Sequence, residues 1–233
     1  MIDEEVAAAL DSVATATLSY QLRRRGIQNT FLTGLRPLAR GRRMRGAART
    51  LRYTAFRQDV FDEFGGGMNA QKRVIDTLAP GDVLVIEARG ELGAGTIGDI
   101  LALRAQVCGA AGVVSDGAAR DTPALAEMGM PVYVAGAHGA VLGEKHVPMD
   151  FDLPITCAGV LVMPGDIVVG DDEGVVVIPH ALVAEVAADA VAQEREERFI
   201  ASRVERGEQL DGLYPLAADR RHEYESWLKG EEE

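Results

Sequence analysis

The sequence predicts an α/β fold, one layered α/β/β domain with helical extensions at its N- and C-terminal ends. Three observations carry that expectation. Short β-prone runs, Val83-Leu84-Val85-Ile86, Ala110 to Val114 and Met130 to Ala135, alternate with segments of helical periodicity. Twenty-six glycines in 233 residues supply the tight turns such an alternation needs. Hydrophobic content is 47% and aromatic content 5%, so the core is built from Ala, Val, Leu and Ile.

Residues 3–25 predict a helix with Val6, Leu10, Val13, Leu18 and Leu22 on one side. The Thr- and Ser-rich run from Ser12 to Ser19 marks a break and a new N-cap, and Arg23-Arg24-Arg25 before Gly26 suits a helix end. Between Leu35 and Arg57 stand eight arginines, with a strand over residues 46–56. This patch reads as a solvated strand face plus loop, with a partner or RNA contact and substrate steering as alternatives. Residues 57–67 predict a loop or short helical insertion closing on Gly65-Gly66-Gly67, and 69–78 a helix that buries Val74, Ile75 and Leu78.

After the turn Pro80-Gly81-Asp82 and a buried strand, the glycine-rich run Gly93, Gly95, Gly98 leads into a helix opening near Asp99. Ile100, Leu101, Leu103 and Val107 are expected on its inward face, and Asp116-Gly117 is expected to turn the chain after the next strand. Thr122 to Glu127 predicts a short helix with Pro123 in its first turn. Residues 147–154 read as a loop, 155–163 as a strand, and 167–179 as a strand broken at 171–174. A long helix starts at His180 and turns highly charged after Gln193. The tail from Gly207 is polar, with Tyr214, Tyr224 and Trp227 as anchors and a disordered GEEE end.

A net charge of −12 and a pI near 4.8 argue against a nucleic-acid binder. No apolar run approaches membrane-spanning length, the acidic start lacks a signal-peptide pattern, and Cys108 and Cys157 show no C-x-x-C spacing. A cytoplasmic protein without membrane or nucleic-acid partners is expected. Cys108 reads as a small packing residue.

The chemistry concentrates between Gly93 and Asp121. Both loops there follow core strands, so they are expected to share one rim. Asp121 is a hard oxygen donor of the kind Mg²⁺ or Mn²⁺ prefers, and Arg120 suits a substrate carboxylate. Asp99 is placed to hold a water or pass a proton, and the helix beginning there offers unpaired N–H groups for a 2-keto acid's carboxylate. Gly93, Gly95 and Gly98 also match G-x-G-x-x-G, with Ser115-Asp116 downstream, so a dinucleotide site is a competing reading. P-loop, HExxH and GxSxG patterns are absent.

The run GTIGDILALRAQVCGAAGVVSDGAARD resembles the signature of the RraA-like family, which includes 4-hydroxy-4-methyl-2-oxoglutarate / 4-carboxy-4-hydroxy-2-oxoadipate aldolases and regulators of ribonuclease activity. Its aldolase members carry an Asp, twenty residues, then Arg-Asp, as Asp99 and Arg120-Asp121 do here. The resemblance runs from about Ser12 to Gly207 through TATLSYQL, GLRPL, PGDVLVIEARG, Pro154-Ile-Thr-Cys and PGDIVVGDDEGVVVIP. It implies a swivelling-domain-like RraA fold over residues 1–207 and a polar extension over 208–233. It further implies a class II, metal-dependent pyruvate aldolase that also decarboxylates oxaloacetate. In that reading Asp121 ligates Mg²⁺ or Mn²⁺, Arg120 contacts substrate, and Asp99 holds a proton-transfer water. Gly98 and the backbone near Ile100 and Leu101 bind the keto acid. A Glu from an adjacent subunit, Glu197 with Glu194 and Glu196 as rivals, approaches the metal waters of a homotrimer or homohexamer with interfacial sites. The same family leaves a non-catalytic regulator of an RNA-degrading enzyme, or a lyase or dehydratase acting on a sugar-derived 2-keto acid, as alternatives.

Overall fold

A computed structural model describes residues 2–231, the side chain of Glu231 apart. The N-terminal break falls where the Thr/Ser run places it. α1 (Glu4–Ser12) is capped by the Asp3 carboxylate on the Val6 amide, and α2 (Thr15–Arg24) restarts after Val13 and Ala14. The strands are β1 (Arg36–Pro37), β2 (Met44–Ala55), β3 (Asp82–Glu87), β4 (Gly112–Ala119), β5 (Val132–Ala137), β6 (His146–Phe151), β7 (Ile155–Cys157), β8 (Val160–Val162), β9 (Ile167–Gly170) and β10 (Val175–Ile178). The remaining helices are α3 (Gln58–Phe64), α4 (Ala70–Asp76), α5 (Asp99–Val107), α6 (Thr122–Glu127), α7 (Val183–Val204) and α8 (Arg221–Glu231). No helix among the described residues is long and apolar enough to cross a membrane.

The expected α/β class holds, as a curled mixed sheet in the order β1-β5-β4-β3-β2-β9-β10, with β6 also pairing β2. β2 to β5 run parallel, and the strands at both ends and β6 are antiparallel. β2 curls the sheet because its first part, Met44 to Ala47, pairs with β9 and its last part, Leu51 to Ala55, pairs with β6 across a bulge at Met149 of β6. α4, α5 and α6 cover one face over Leu51, Leu84, Ile86 and Val113. The β7–β8 hairpin closes a second cluster on Val83, Val85 and Val114, and α1, α2 and α7 pack on β9 and β10.

The arginine patch is a solvated, paired face. Arg45 meets Asp11 at 2.8 Å, Arg49 meets Asp152 at 2.8 Å and Asp82 at 3.3 Å, and Arg52 meets Glu87 at 3.4 Å. Half-exposed pairs of this kind orient the strand more than they stabilise it. The 57–67 insertion is the short helix α3, and it buries none of its residues.

Several expectations fail for identifiable reasons. Residues 147–154 contain β6 instead of a loop; Pro148 is tolerated because β6 bulges beside it, at Met149. The 155–163 strand is a hairpin, turned at Ala158 and Gly159 with φ 49° and 78°. Asp116-Gly117 lies inside β4, not in a turn. The Asp116 carboxylate accepts from the amides of Ala88 (2.5 Å) and Ala158 (3.2 Å), while an added Gly117 Cβ would lie 2.6 Å from Thr96 Cγ2. Burial raises the Asp116 pKa, and those amides oppose the rise. The inward face of α5 is Ala102 and Ala105 with Leu101 partly buried beside them, while Ile100, Leu103 and Val107 point outward. Apolar side chains surround this helix, so periodicity alone could not choose the face, and the alanines are what allow close approach to the sheet.

The tail packs on the end of α7 through Phe199, Ile200, Leu213 and Leu216, with Tyr224 and Trp227 against them. Tyr214 is 59% exposed and anchors nothing. Arg203 and Arg220 each pair with both Glu208 and Glu223, a closed ring of four ion pairs between 2.7 and 3.3 Å. Gly230 and Glu231 continue α8 instead of fraying, and the last two residues of the GEEE end lie outside the described residues.

Candidate active site

The glycine-rich segment runs alongside the end of β4 as an added, strand-like rung. Gly95 bridges Ala118 in parallel, the Thr96 amide donates to Ala118 O (2.7 Å), and the Arg120 amide donates to Ile97 O (2.9 Å). These bonds bring Gly98 and Asp99, at the start of α5, against Arg120 and Asp121, at the end of β4. The two loops therefore do share a rim.

The glycines are required by that approach. A Cβ on Gly95 would overlap Arg120 Cγ, and one on Gly98 would lie 2.8 Å from Asp121 Oδ2. This explains the G-x-G-x-x-G match without a dinucleotide, since the third glycine cradles a carboxylate where a pyrophosphate would need positive potential. Asp121 itself adopts left-handed backbone (φ 54°, ψ 34°), costly for a residue with a Cβ, and its carbonyl accepts from the Leu125 amide at 3.1 Å to start α6.

Arg120 and Asp121 are free for a ligand. Among the described residues neither side chain takes part in an ion pair or hydrogen bond, and Arg120 Nε is buried without a partner. Buried donors are seldom left so. Asp99 Oδ1 accepts from the Ile100 amide at 2.7 Å. The Ile100 amide expected to receive a substrate carboxylate is thus occupied by Asp99, and α5's own bonding begins with Ala102 N on Gly98 O at 3.1 Å. Leu101 is half-buried against the core beside this turn.

Glu194, Glu196 and Glu197 are not brought to this rim within one chain. Glu194 accepts from the Ala14 amide (2.6 Å), Glu196 pairs with Arg221 (2.6 Å), and Glu197 accepts from Gln193 (2.9 Å). Glu196 and Glu197 line a cleft of about 860 Å³ between α2, α7 and the tail.

The donor set suits a hard cation held mainly through water. No group of three or more His, Cys, Asp or Glu side chains gathers among the described residues. The unpaired Asp121 carboxylate, cradled by Gly98, supplies a donor of the one- or two-carboxylate kind that Mg²⁺ accepts, and Asp99 follows Gly98 in the chain.

Sequence reasoning missed the residues behind the rim. Thr96 O accepts from Tyr53 Oη (2.9 Å) and Gln71 Nε2 (2.7 Å), all buried. Fully buried His146 packs on Tyr53 at a 5.5 Å centroid separation, and burial lowers its pKa to about 4. A lone Tyr in an arginine-rich strand and a Gln in a helix's first turn were the available signals.

Comparison with known proteins places the chain in a family. Residues 15–177 match the sequence model of the RraA-like family, described as Aldolase/RraA. A Halalkalibacterium halodurans protein named "Putative 4-hydroxy-4-methyl-2-oxoglutarate aldolase" is 32% identical over 172 residues, covering 74% of this chain and 76% of its own. The crystal structure of an uncharacterised Pseudomonas syringae pv. tomato protein superposes with TM-score 0.81 at 28% identity, covering 91% of this chain and 94% of its own. Streptomyces coelicolor RraAS2, titled an unusual member of the RNase ES inhibitor RraA protein family, superposes with TM-score 0.77 at 35% identity, covering 85% and 96%. With its fold and the loop pair between Gly93 and Asp121, this chain belongs to the RraA-like family.

Proposed function

We propose that this protein is a divalent-metal-dependent class II pyruvate aldolase that cleaves a 4-hydroxy-2-oxo acid and also decarboxylates oxaloacetate. The observation that carries the reading is the unpaired Arg120–Asp121 couple, with Arg120 Nε buried and lacking a partner, set against the start of α5. The aldolase name of the Halalkalibacterium relative supports it. Asp121, with Asp99 through water, would hold Mg²⁺ or Mn²⁺, which when bound supplies Lewis-acid stabilisation of an enolate.

The chain's own residues bind and orient. The first turn of α5, from Gly98 through Leu101, receives the keto acid's carboxylate, for which Asp99 must release the Ile100 amide. Arg120 lies over the keto oxygen, where negative charge grows as the C3–C4 bond breaks, its electron pair becoming the C2=C3 bond and the carbonyl π pair moving onto the C2 oxygen. The 4-hydroxyl passes its proton to the water that Asp99 holds as the C4 carbonyl forms. Asp99 holds the water that returns a proton to C3, yielding pyruvate.

The site is completed by a second copy in a trimer or hexamer. α5 exposes Ile100 (69%), Leu103 (46%) and Val107 (68%) beside Asp99, an apolar ridge suited to a subunit contact. Glu197 is the favoured acid from the neighbouring α7, because its partner is the neutral Gln193 of its own helix, whereas Glu196 is held in an ion pair with Arg221 and Glu194 by the Ala14 amide. A cytoplasmic setting accords with two free cysteines. Oxaloacetate and a panel of 4-hydroxy-2-oxo acids, assayed for pyruvate with Mg²⁺ or Mn²⁺ and again with chelator, test the reading. No pyruvate from any substrate would leave the second reading, a regulator of an RNA-degrading enzyme, which the likeness to RraAS2 supports.

A further inference from the structure

We infer that Gln71 and Tyr53 are positioning residues that set the geometry of this site through one shared acceptor, the carbonyl of Thr96. The inference rests on the proposed function for its kinetic consequence only. Thr96 is 1% exposed and every polar atom it has is engaged. On one side its amide and its hydroxyl both donate to Ala118 O (2.7 and 2.9 Å), and the hydroxyl also meets Ser115 Oγ at 2.9 Å. On the other side its carbonyl takes Gln71 Nε2 from α4 and Tyr53 Oη from β2. The glycine segment is thus held between β4 and a pair of donors from elements that never touch the ligand.

Distance along the chain makes this hold consequential. Thr96 stands three residues before Asp99, and Ala118, its partner, two residues before Arg120. Gly95 and Gly98 have no side chains with which to fix the segment, so its depth is set by its backbone bonds to Ala118, Ala140 and Arg120, by the buried Ile97 side chain and by the two donors on Thr96 O. A shift of a few tenths of an ångström there moves Gly98 against Asp121 Oδ2 and the start of α5 against Arg120. Gln71 sits in the first turn of α4, whose N-cap Asn69 donates to Gly65 O at 2.8 Å, so the insertion's glycine end is tied to the same turn.

Because one carbonyl accepts from both donors, their losses are coupled. With either donor gone the buried carbonyl keeps a partner; with both gone it has none, and the segment rearranges to find one. Two tight, independent packing residues would instead give losses that multiply.

The test uses full-length Tyr53→Phe, Gln71→Leu and the double variant, read by hydrogen–deuterium exchange and by steady-state kinetics. Each single variant is expected to lower kcat about threefold with KM changed less than about twofold, and the double variant about 50-fold, well beyond the product of the singles. In the double variant, amide exchange is expected to quicken in peptides covering 95–101 and 118–122 while peptides from β3 and β9 stay protected. Unchanged exchange over 95–101 and 118–122, or quickening confined to α4 and β2, overturns the inference. Should the double variant not fold, the singles decide by kinetics, and an unchanged kcat in both overturns the inference. If the wild-type protein forms no pyruvate, the proposed function fails, and the exchange pattern still judges the positioning role by itself.

Discussion

Arg120 shows what a residue-level reading can and cannot extract. Its spacing from Asp99 was legible in the sequence, because a motif is a matter of order along the chain. That its Nε is buried without a partner was not, because burial is set by β4, by Gly95 and by the loop that crosses it. Arg120→Ala is predicted to lower kcat for pyruvate formation by about 10²–10³-fold. Its melting temperature should stay near that of wild type, since no internal ion pair is lost. Arg120→Lys should rescue little, because a point charge does not reproduce a planar fork. His146, invisible as a special residue in sequence, carries a separate prediction. Burial, with help from Arg89 and opposed by Glu91, holds its folded pKa near 4 against an unfolded value near 6.5. Between those values the unfolded chain binds more protons, so stability rises with pH through that window. The contribution is full above about pH 6.5 and is lost as pH falls toward 4, to a limit of about 3 kcal/mol. Urea midpoints measured from pH 7 to 4 should fall less steeply for His146→Leu than for wild type.

At the scale of elements, local signals worked where chemistry is local. The break between α1 and α2 was readable from the Thr/Ser run, although α2 starts on Ala14 without a side-chain cap, and the Pro123 entry to α6 was readable from proline's place in a first turn. They failed where partners decide. β6 took a proline because β6 itself bulges beside it, at Met149, and Asp116-Gly117 stayed in β4 because the Ala88 and Ala158 amides donate to the Asp116 carboxylate there. The face of α5 was undecidable because its apolar residues point in all directions. The meeting of α5 and β4 gives the sharpest element-level prediction. Gly98→Ala puts a methyl 2.8 Å from Asp121 Oδ2 while the backbone (φ −123°) tolerates alanine, so the fold should survive. The concentration of Mg²⁺ or Mn²⁺ needed for half-maximal activity should rise at least about tenfold, measured by metal titration of chelator-stripped protein.

For the whole molecule, the sheet order could not be read from sequence because it depends on long-range pairing, above all the sharing of β2 between β9 and β6. The class, the family-like site and the charged α7 end could be read. The exposed ridge of Ile100, Leu103 and Val107 appeared only once α5 turned its alanines inward. Leu103→Glu is predicted to lower the mass measured by light scattering toward that of one chain and to lower activity with it, since the partner's Glu197 would no longer reach the site. Stabilisation of a pyruvate enolate by Arg120 and Asp121 can be tested without the natural substrate. Pyruvate in D₂O with protein and Mg²⁺ or Mn²⁺ is followed by proton NMR of its methyl group. Loss of the methyl signal that requires metal, and that Arg120→Ala and Asp121→Asn abolish, is the predicted result. A methyl signal that decays no faster with wild-type protein than with buffer would contradict it.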